Sequence, residues 1–207
     1  MNRRSVMLVS LSAAALLLSA AAFSVVPAAF TFVVAEDGNT ARYRVREQLA
    51  GFDLPNDAVG ETSAVSGSIA LDRSGNVIPE ASHILVGVAG LKSDKERRDG
   101  FIKRRVLQAD SFPNVELVVT RINGLKLPVP KSGTRSFTLD GLLTVHGVTR
   151  PTKWIVKAAF TDSIMTGSAS TRFTFSDFGL SQPRVPIVLS VADTIGLEYD
   201  FKLRKKR

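Results

Sequence analysis

The chain has 207 residues, of which 44% are hydrophobic and 22% charged, so it can bury a core and shows no compositional bias toward disorder. It has no cysteine, which excludes disulfides, a thiol nucleophile and Cys-ligated metal sites, and its two histidines are too few for a His-rich metal site. The net charge of +8 suits an anionic membrane or a nucleic acid, but charge alone determines neither fold nor specificity.

The N-terminal part of the chain is a long uncharged stretch. Residues 5–34 carry no charged side chain and follow the pair Arg3 and Arg4. A cleavable signal peptide needs an apolar stretch of about 7 to 15 residues and a small-residue cleavage site, which residues 20–22 could supply. About 20 residues suffice to cross a bilayer, so the length favours an uncleaved transmembrane anchor. A buried core helix is the structural alternative. We predict that residues 1–38 form a signal peptide or membrane anchor.

This leader also predicts a compartment. Arginines on the short N-terminal side hold that end in the cytoplasm and place the remainder outside it. We therefore expect residues 39–207 to form an extracytoplasmic domain of the cell envelope, either membrane-anchored or secreted into the periplasm or beyond.

The body of the chain alternates apolar and polar residues with period two, which is typical of half-buried strands. The clearest case runs from Val191 to Leu203, and shorter alternations include Ile69, Val86, Val119, Leu139, Val156 and Phe173. Turn-forming residues separate them, for example at 73–76, 131–133 and 146–147. Seven or eight short strands predict an antiparallel sandwich or barrel.

One segment carries helical signals. Ser93 and Glu96 have the spacing of a capping box, so a helix is expected to begin there and to run through Val106 before Phe112-Pro113 ends it. Within this helix, Arg97, Arg98 and Asp99 form either a solvated mixed-charge face, which base rates favour, or a buried ion pair that braces the sheet.

Three clusters carry a family resemblance. They are the acidic and basic run at 94–99 leading to Asp110-Ser111-Phe112-Pro113, the string G-L-L-T-V-H-G-V-T-R-P at 141–151, and S-D-F-G-L at 176–180. Their order and spacing resemble the YceI-like family of lipocalin-like proteins, over roughly residues 64–203. The family's opening strand is not recognisable, and residues 42–67 look like a divergent opening with an inserted loop at 54–57.

The resemblance implies an extracytoplasmic antiparallel β-barrel of about eight strands, with one short helix, that encloses a polyisoprenoid-type lipid. Alternation alone does not separate a barrel filled by its own side chains from one that holds a small ligand. Either the core or a ligand site would be formed by the inward-facing residues Ile69, Leu71, Val86, Val88, Leu117, Val119, Leu139, Leu143, Phe173, Phe175, Leu197 and Tyr199.

His146 is the strongest candidate for a catalytic residue. A general base needs a nucleophile or water within hydrogen-bond reach, and the sequence does not place one beside it. His146 precedes Gly147 at a strand end, so a role in a turn is favoured over a polar contact at the barrel mouth or catalysis. The motif Asp177-Phe178-Gly179 lacks the other elements of a kinase and is interpreted as a turn that ends a strand.

Three functions remain open at this point. We expect a non-catalytic carrier of an isoprenoid or other long-chain lipid, with no catalytic residue, cofactor or metal. The alternatives are a lipid-modifying enzyme that uses His146, and a structural or stress-response envelope module with a solid core. The membrane is an expected partner through the N-terminal segment, a homodimer through edge strands is possible, and no nucleic acid is expected because no reading element accompanies the dispersed basic residues.

Overall fold

The chain forms an all-β structure with one short α-helix. The computed structural model describes residues 29–51, 53–125 and 129–206. In these residues there are eleven strands: β1 (Phe30–Val34), β2 (Thr40–Leu49), β3 (Asn56–Thr62), β4 (Val65–Leu71), β5 (His83–Gly87), β6 (Lys92–Ser93), β7 (Asn114–Asn123), β8 (Gly133–Val145), β9 (Val148–Phe160), β10 (Ile164–Thr174) and β11 (Val188–Lys205). The helix α1 (Glu96–Phe101) continues into a wider π turn (Ile102–Val106), and single 3₁₀ turns span Pro79–Ala81 and Phe175–Phe178.

All strands belong to one antiparallel sheet that closes on itself. Eight strands follow one another in the order β1-β4-β5-β7-β8-β9-β10-β11, and β11 pairs back with β1. The predicted antiparallel all-β fold with a short helix is therefore confirmed, with an eight-strand ring as its framework. An open sheet exposes one unpaired edge strand at each side, and closure of the ring pairs these two strands with each other.

The three remaining strands extend the ring at one end. β11 pairs with β2 through Val188–Asp200 and with β1 through residues 203–205, so β1 and β2 lie along the same edge of β11. In the same way β3 continues β4, because β3 pairs with β2 and β4 pairs with β1. β6 continues β5 beside β3. The eleven strands thus occupy eight positions, three of which are interrupted.

Alternation along each strand positions the core. On β9, Trp154, Val156, Ala158 and Phe160 are buried while the residues between them, including Ile155, are exposed. Burial of each large apolar side chain contributes roughly 1.5–3 kcal/mol, so this face fixes the register of the strand. The inward faces of the strands converge on the interior of the ring, which is therefore the core of the molecule.

The beginning of the ring differs from the sequence prediction. Residues 1–28, on which the leader prediction rests, lie outside the described part. The end of the same uncharged stretch, Phe30–Val34, is a strand of the ring that is hydrogen-bonded on both edges, to β4 and β11. The divergent opening at 42–67 contains β2, β3 and the start of β4, and Asn56 and Asp57 of the expected inserted loop belong to β3. Within the described ranges, no helix is long and apolar enough to cross a bilayer.

The predicted helix is shorter and begins differently. α1 starts at Glu96, and no side chain caps its first turn. Ser93 instead donates from its hydroxyl to Asp99 Oδ1 at 2.6 Å, and its backbone N–H donates to the same oxygen at 2.9 Å. In a capping box the Ser93 hydroxyl oxygen would accept from the backbone N–H of Glu96, but it accepts from Lys95 N–H at 3.2 Å, and the helix starts three residues after Ser93.

Candidate functional site

The ring encloses an apolar cavity of about 200 Å³. Its wall takes residues from each of the eight ring strands, together with β2, β3 and the π turn after α1. Aliphatic and aromatic side chains form nearly all of this wall. Alternation explains the composition, because the residues that face inward are the apolar ones at every strand position.

All twelve residues that the sequence predicted to face inward lie on the cavity wall. Seven of them are buried and the other five are half-buried. The full set is Ile69, Leu71, Val86, Val88, Leu117, Val119, Leu139, Leu143, Phe173, Phe175, Leu197 and Tyr199. The interior is therefore not filled completely by its own side chains at these positions.

Sequence reasoning missed part of the wall. Tyr43 and Val45 on β2 alternate with three outward arginines, a period-two signal inside the segment that resembles a divergent opening. Ile102 and Val106 lie within the predicted helix, but their position over the cavity depends on how that segment packs. Phe32 on β1 could not be recognised as an inward residue because the uncharged N-terminal stretch shows no alternation.

A buried ion pair fixes α1 beside the cavity. Arg98 of α1 donates to Glu47 of β2 and to Asp94, and the side chains of Arg98 and Glu47 are only 13% and 8% exposed. Asn56 also donates to Glu47, at 3.4 Å. The favoured prediction of a solvated face was therefore wrong for Arg98 and for the buried Asp99, and the alternative of a bracing ion pair is correct. Arg98 pairs with Glu47 of a distant strand, and Asp99 accepts from Ser93. The spacing of charges along a helix cannot reveal these partners.

Tyr43 lies between this charged group and the apolar wall. Its ring packs so closely over Gly60 of β3 that a Cβ there would stand 2.2 Å from Tyr43 Cε1, which explains the glycine. The hydroxyl oxygen of Tyr43 is buried and has no hydrogen-bond partner. Burial is the main cause that raises the pKa of Tyr43 to about 12.

His146 occupies a hairpin turn and not the cavity wall. Val145 pairs with Val148, so His146 and Gly147 form a two-residue loop with φ values of 50° and 75°. Positive φ at both positions is the requirement of a type I′ turn. The His146 ring packs on Phe112 at a centroid distance of 4.6 Å, and its Nε2 atom is buried without a hydrogen-bond partner. The structure thus places His146 in the turn that the sequence favoured.

The predicted turn after β10 is also present. Phe175–Phe178 form a 3₁₀ turn capped reciprocally by Thr174 and Asp177, and Gly179 ends it in the left-handed region at φ 65°. Phe178 is fully buried in the core. In the described ranges, no group of three or more His, Asp or Glu side chains is placed to hold a metal ion.

The geometry can be compared with known proteins. A sequence model of the YceI-like domain matches residues 32–203. The chain belongs to the YceI-like family. The YceI-like match begins in β1 and not near residue 64, so β1, β2 and β3 are part of the family domain although their sequences did not reveal it. No curated protein matches the chain.

Solved structures share the YceI-like fold at low sequence identity. A polyisoprenoid binding domain from Saccharophagus degradans, implicated in plant cell wall breakdown, is 8% identical, with a TM-score of 0.62, and the match covers 87% of this chain and all of that one. Burkholderia cenocepacia BcnA is 15% identical, with a TM-score of 0.60 over 82% of this chain and 98% of that one. The Campylobacter jejuni YCEI protein is 15% identical, with a TM-score of 0.55 over 77% and 91%. At these identities the YceI-like similarity establishes the fold.

Proposed function

We propose that this protein binds one elongated apolar lipid of the polyisoprenoid type inside the ring, which then works as a lipocalin-like barrel. The observation that carries the proposal is the cavity, whose wall is aliphatic and aromatic at nearly every position. Burial of an oily chain there is favourable by roughly 25 cal/mol per Å² before the costs of ordering. The name of the Saccharophagus relative, a polyisoprenoid binding domain, supports the same ligand class.

The proposed role is binding without a chemical step. The twelve inward residues named above are the proposed ligand contacts, and eleven of them are apolar. Among the described residues, the charged residues that border the cavity are Arg42 and Glu198, and the side chains of both are held in ion pairs on the outward face. This distribution supports a carrier over the lipid-modifying enzyme, and a cavity supports it over a solid-cored module.

We place the ring outside the cytoplasm as part of the same proposal. Because β1 begins at Phe30, residues 5–29 remain as the uncharged stretch, which still exceeds the roughly 20 residues that cross a bilayer. The arginines at positions 3 and 4 support a cytoplasmic N-terminus. The segment would anchor the carrier in the membrane or direct its secretion. Two copies would associate through edge strands, and the mass of the protein in solution tests this.

Native mass spectrometry of the full-length chain, followed by organic extraction, tests the proposal. We expect a retained lipid mass, or uptake of added geranylgeraniol by emptied protein. Ala169→Leu adds bulk to the wall between Val156 and Tyr199 and should reduce uptake at least about tenfold. Ser170→Leu adds the same group to the exposed face of β10 and should leave uptake unchanged. An empty chain that also refuses the added lipid would contradict the proposal.

A further inference from the structure

The chain enters and leaves the ring at the same end. Phe32 of β1 pairs with Lys205 of β11, and the backbone N–H of Lys206 donates to Thr31 O at 2.7 Å. The turn after β4, the loop between β7 and β8 and the hairpin between β9 and β10 lie at this end too, because successive ring strands are antiparallel. We call this end the basal rim. Its described residues are 29–31, 72–76, 124–125, 129–132, 161–163 and 204–206.

Cations outnumber carboxylates on the basal rim. The two carboxylates of its described residues are those of Asp72 and Asp162. Asp72 is held by its own turn, where it accepts from the backbone N–H groups of Ser74 and Asn76 at 2.8 and 2.9 Å. The five cations are exposed and form no ion pair with another described residue: Arg73, Lys131, Arg204, Lys205 and Lys206. The basal rim therefore has a positive charge that the fold does not compensate.

The basal rim is joined directly to the proposed membrane segment. The backbone N–H of Ala29 donates to Leu71 O at 2.8 Å, so the chain is hydrogen-bonded to the ring from residue 29 onward. Lys205 lies over the aromatic ring of Phe30, with Nζ 4.8 Å from its centroid, which keeps one cation beside the start of β1. No spacer separates the uncharged residues 5–29 from the ring. With those residues in a bilayer, the basal rim lies at the level of the lipid headgroups.

The charge of the headgroups decides which lipids suit this rim. Lysine and arginine beside a membrane are attracted to anionic headgroups, and the attraction extends over about 10 Å at 0.1 M salt. A zwitterionic headgroup has no net charge and offers no comparable attraction. The five cations belong to one end of the ring, so a single bilayer surface meets them together.

We propose that the basal rim docks on anionic phospholipid headgroups and so holds the ring upright on the bilayer. This inference rests on the proposed function, because it names the lipid class and the surface of the ring that meet when the membrane segment is inserted. The cavity wall reaches the same end of the ring at Leu71 and Leu203. Docking therefore places one end of the proposed lipid site beside the bilayer.

Lysine acetylation followed by peptide mass spectrometry tests the docking. The full-length chain is reconstituted in nanodiscs of phosphatidylcholine, alone or with about one third phosphatidylglycerol. In the anionic discs, acetylation of Lys131, Lys205 and Lys206 should slow about three- to sevenfold, because a surface potential of about −30 to −50 mV keeps nearby amines protonated. About 1 M sodium chloride should abolish this difference. The exposed Lys92 and Lys95, at the other end of the ring, should react equally in both discs.

Charge reversal provides a second test. Lys205→Glu with Lys206→Glu should remove at least half of the slowing at Lys131, whereas the matched variant Lys92→Glu with Lys95→Glu should leave it unchanged. All four side chains are exposed, so both variants should fold. The docking is wrong if the basal lysines react equally in the two discs, if Lys92 and Lys95 slow instead, or if the two variants have the same effect.

Native mass spectrometry of the same preparations separates this inference from the proposed function. A chain that retains lipid but shows no slowing of the basal lysines contradicts the docking alone. Slowing in a chain that neither retains nor takes up a lipid contradicts lipid binding and leaves the docking in place. A chain that does not enter the discs contradicts the membrane segment and the docking together.

Discussion

Arg98 of α1 donates to Glu47 of β2 across 51 positions of the chain, and both side chains are nearly inaccessible to solvent. The pair joins the only α-helix of the described residues to the strand that carries Tyr43. It thereby holds Ile102 and Val106 over the cavity, because these residues follow directly on α1.

Removal of one partner from this pair should be strongly destabilising. Arg98→Met leaves the buried carboxylate of Glu47 without its cation, so we expect the free energy of unfolding to fall by about 3–5 kcal/mol in urea denaturation. The double variant Arg98→Met with Glu47→Leu removes both charges and should recover most of the loss. Arg97→Met, on the exposed side of the same turn, should change stability by less than about 0.5 kcal/mol. Equal losses for Arg97 and Arg98 would show that the ion pair is unimportant.

The two tyrosines of the cavity should respond to loss of their hydroxyls in opposite directions. In lipid-free protein, Tyr43→Phe removes an unsatisfied buried hydroxyl and should raise the free energy of unfolding by about 1 kcal/mol. Tyr199→Phe breaks the hydrogen bond to the buried Asn39 and should lower it by about 1 kcal/mol. Urea denaturation of both variants measures this. A loss of stability in Tyr43→Phe would mean that its hydroxyl already has a partner in the free protein.

The hairpin between β8 and β9 should be stabilised by a substitution at His146. Asparagine followed by glycine is the preferred pair for a type I′ turn, so His146→Asn should raise the free energy of unfolding by several tenths of a kcal/mol, up to about 1. Lipid uptake should be unchanged because His146 is not on the cavity wall. A thermal melt and the lipid titration measure the two effects. Gly147→Ala, whose Cβ would stand 2.8 Å from the Phe112 ring, should instead be destabilising.

Acid should weaken the fold through the carboxylates on its outer face. The hydrogen bond from Arg44 lowers the pKa of Glu198 below its ordinary value of 4.5, and Lys202 lowers that of Asp37 below 3.8. The unfolded chain binds these protons more readily, so the stabilisation is complete above about pH 4.5 and is lost as the pH falls through the lower folded-state values. The urea concentration at the midpoint of unfolding should therefore decrease from pH 7 to pH 3. This decrease should be smaller for the Glu198→Gln variant. Asp193→Asn, at an exposed position of the same strand, should follow the unmodified chain.

The sequence by itself determined twelve of the residues that face the interior. Along β4, β5, β7, β8, β10 and β11 the alternation is complete enough that all twelve predicted residues, two of them directly after a strand end, lie on the cavity wall, because one face of a half-buried strand must be apolar. The sequence was uninformative at β1, where Phe30–Val34 continues the uncharged N-terminal stretch and is too short to show period two. At β2 the alternation of arginines with Ala41, Tyr43 and Val45 was present, but a strand is recognised less easily when its outward face is highly charged.

Only the tertiary structure decided what the interior can do. A cavity exists because the inward side chains on opposite sides of the ring do not meet. No local sequence pattern encodes the distance between those strands. Tyr43 appears in the sequence as one more inward aromatic residue. Its hydroxyl is left unpaired because Arg98 already pairs with Asp94 and with Glu47, which lies further along β2. Hydrogen-bond satisfaction depends on all neighbours of a group at once, and here those neighbours are brought together only when α1 packs against β2.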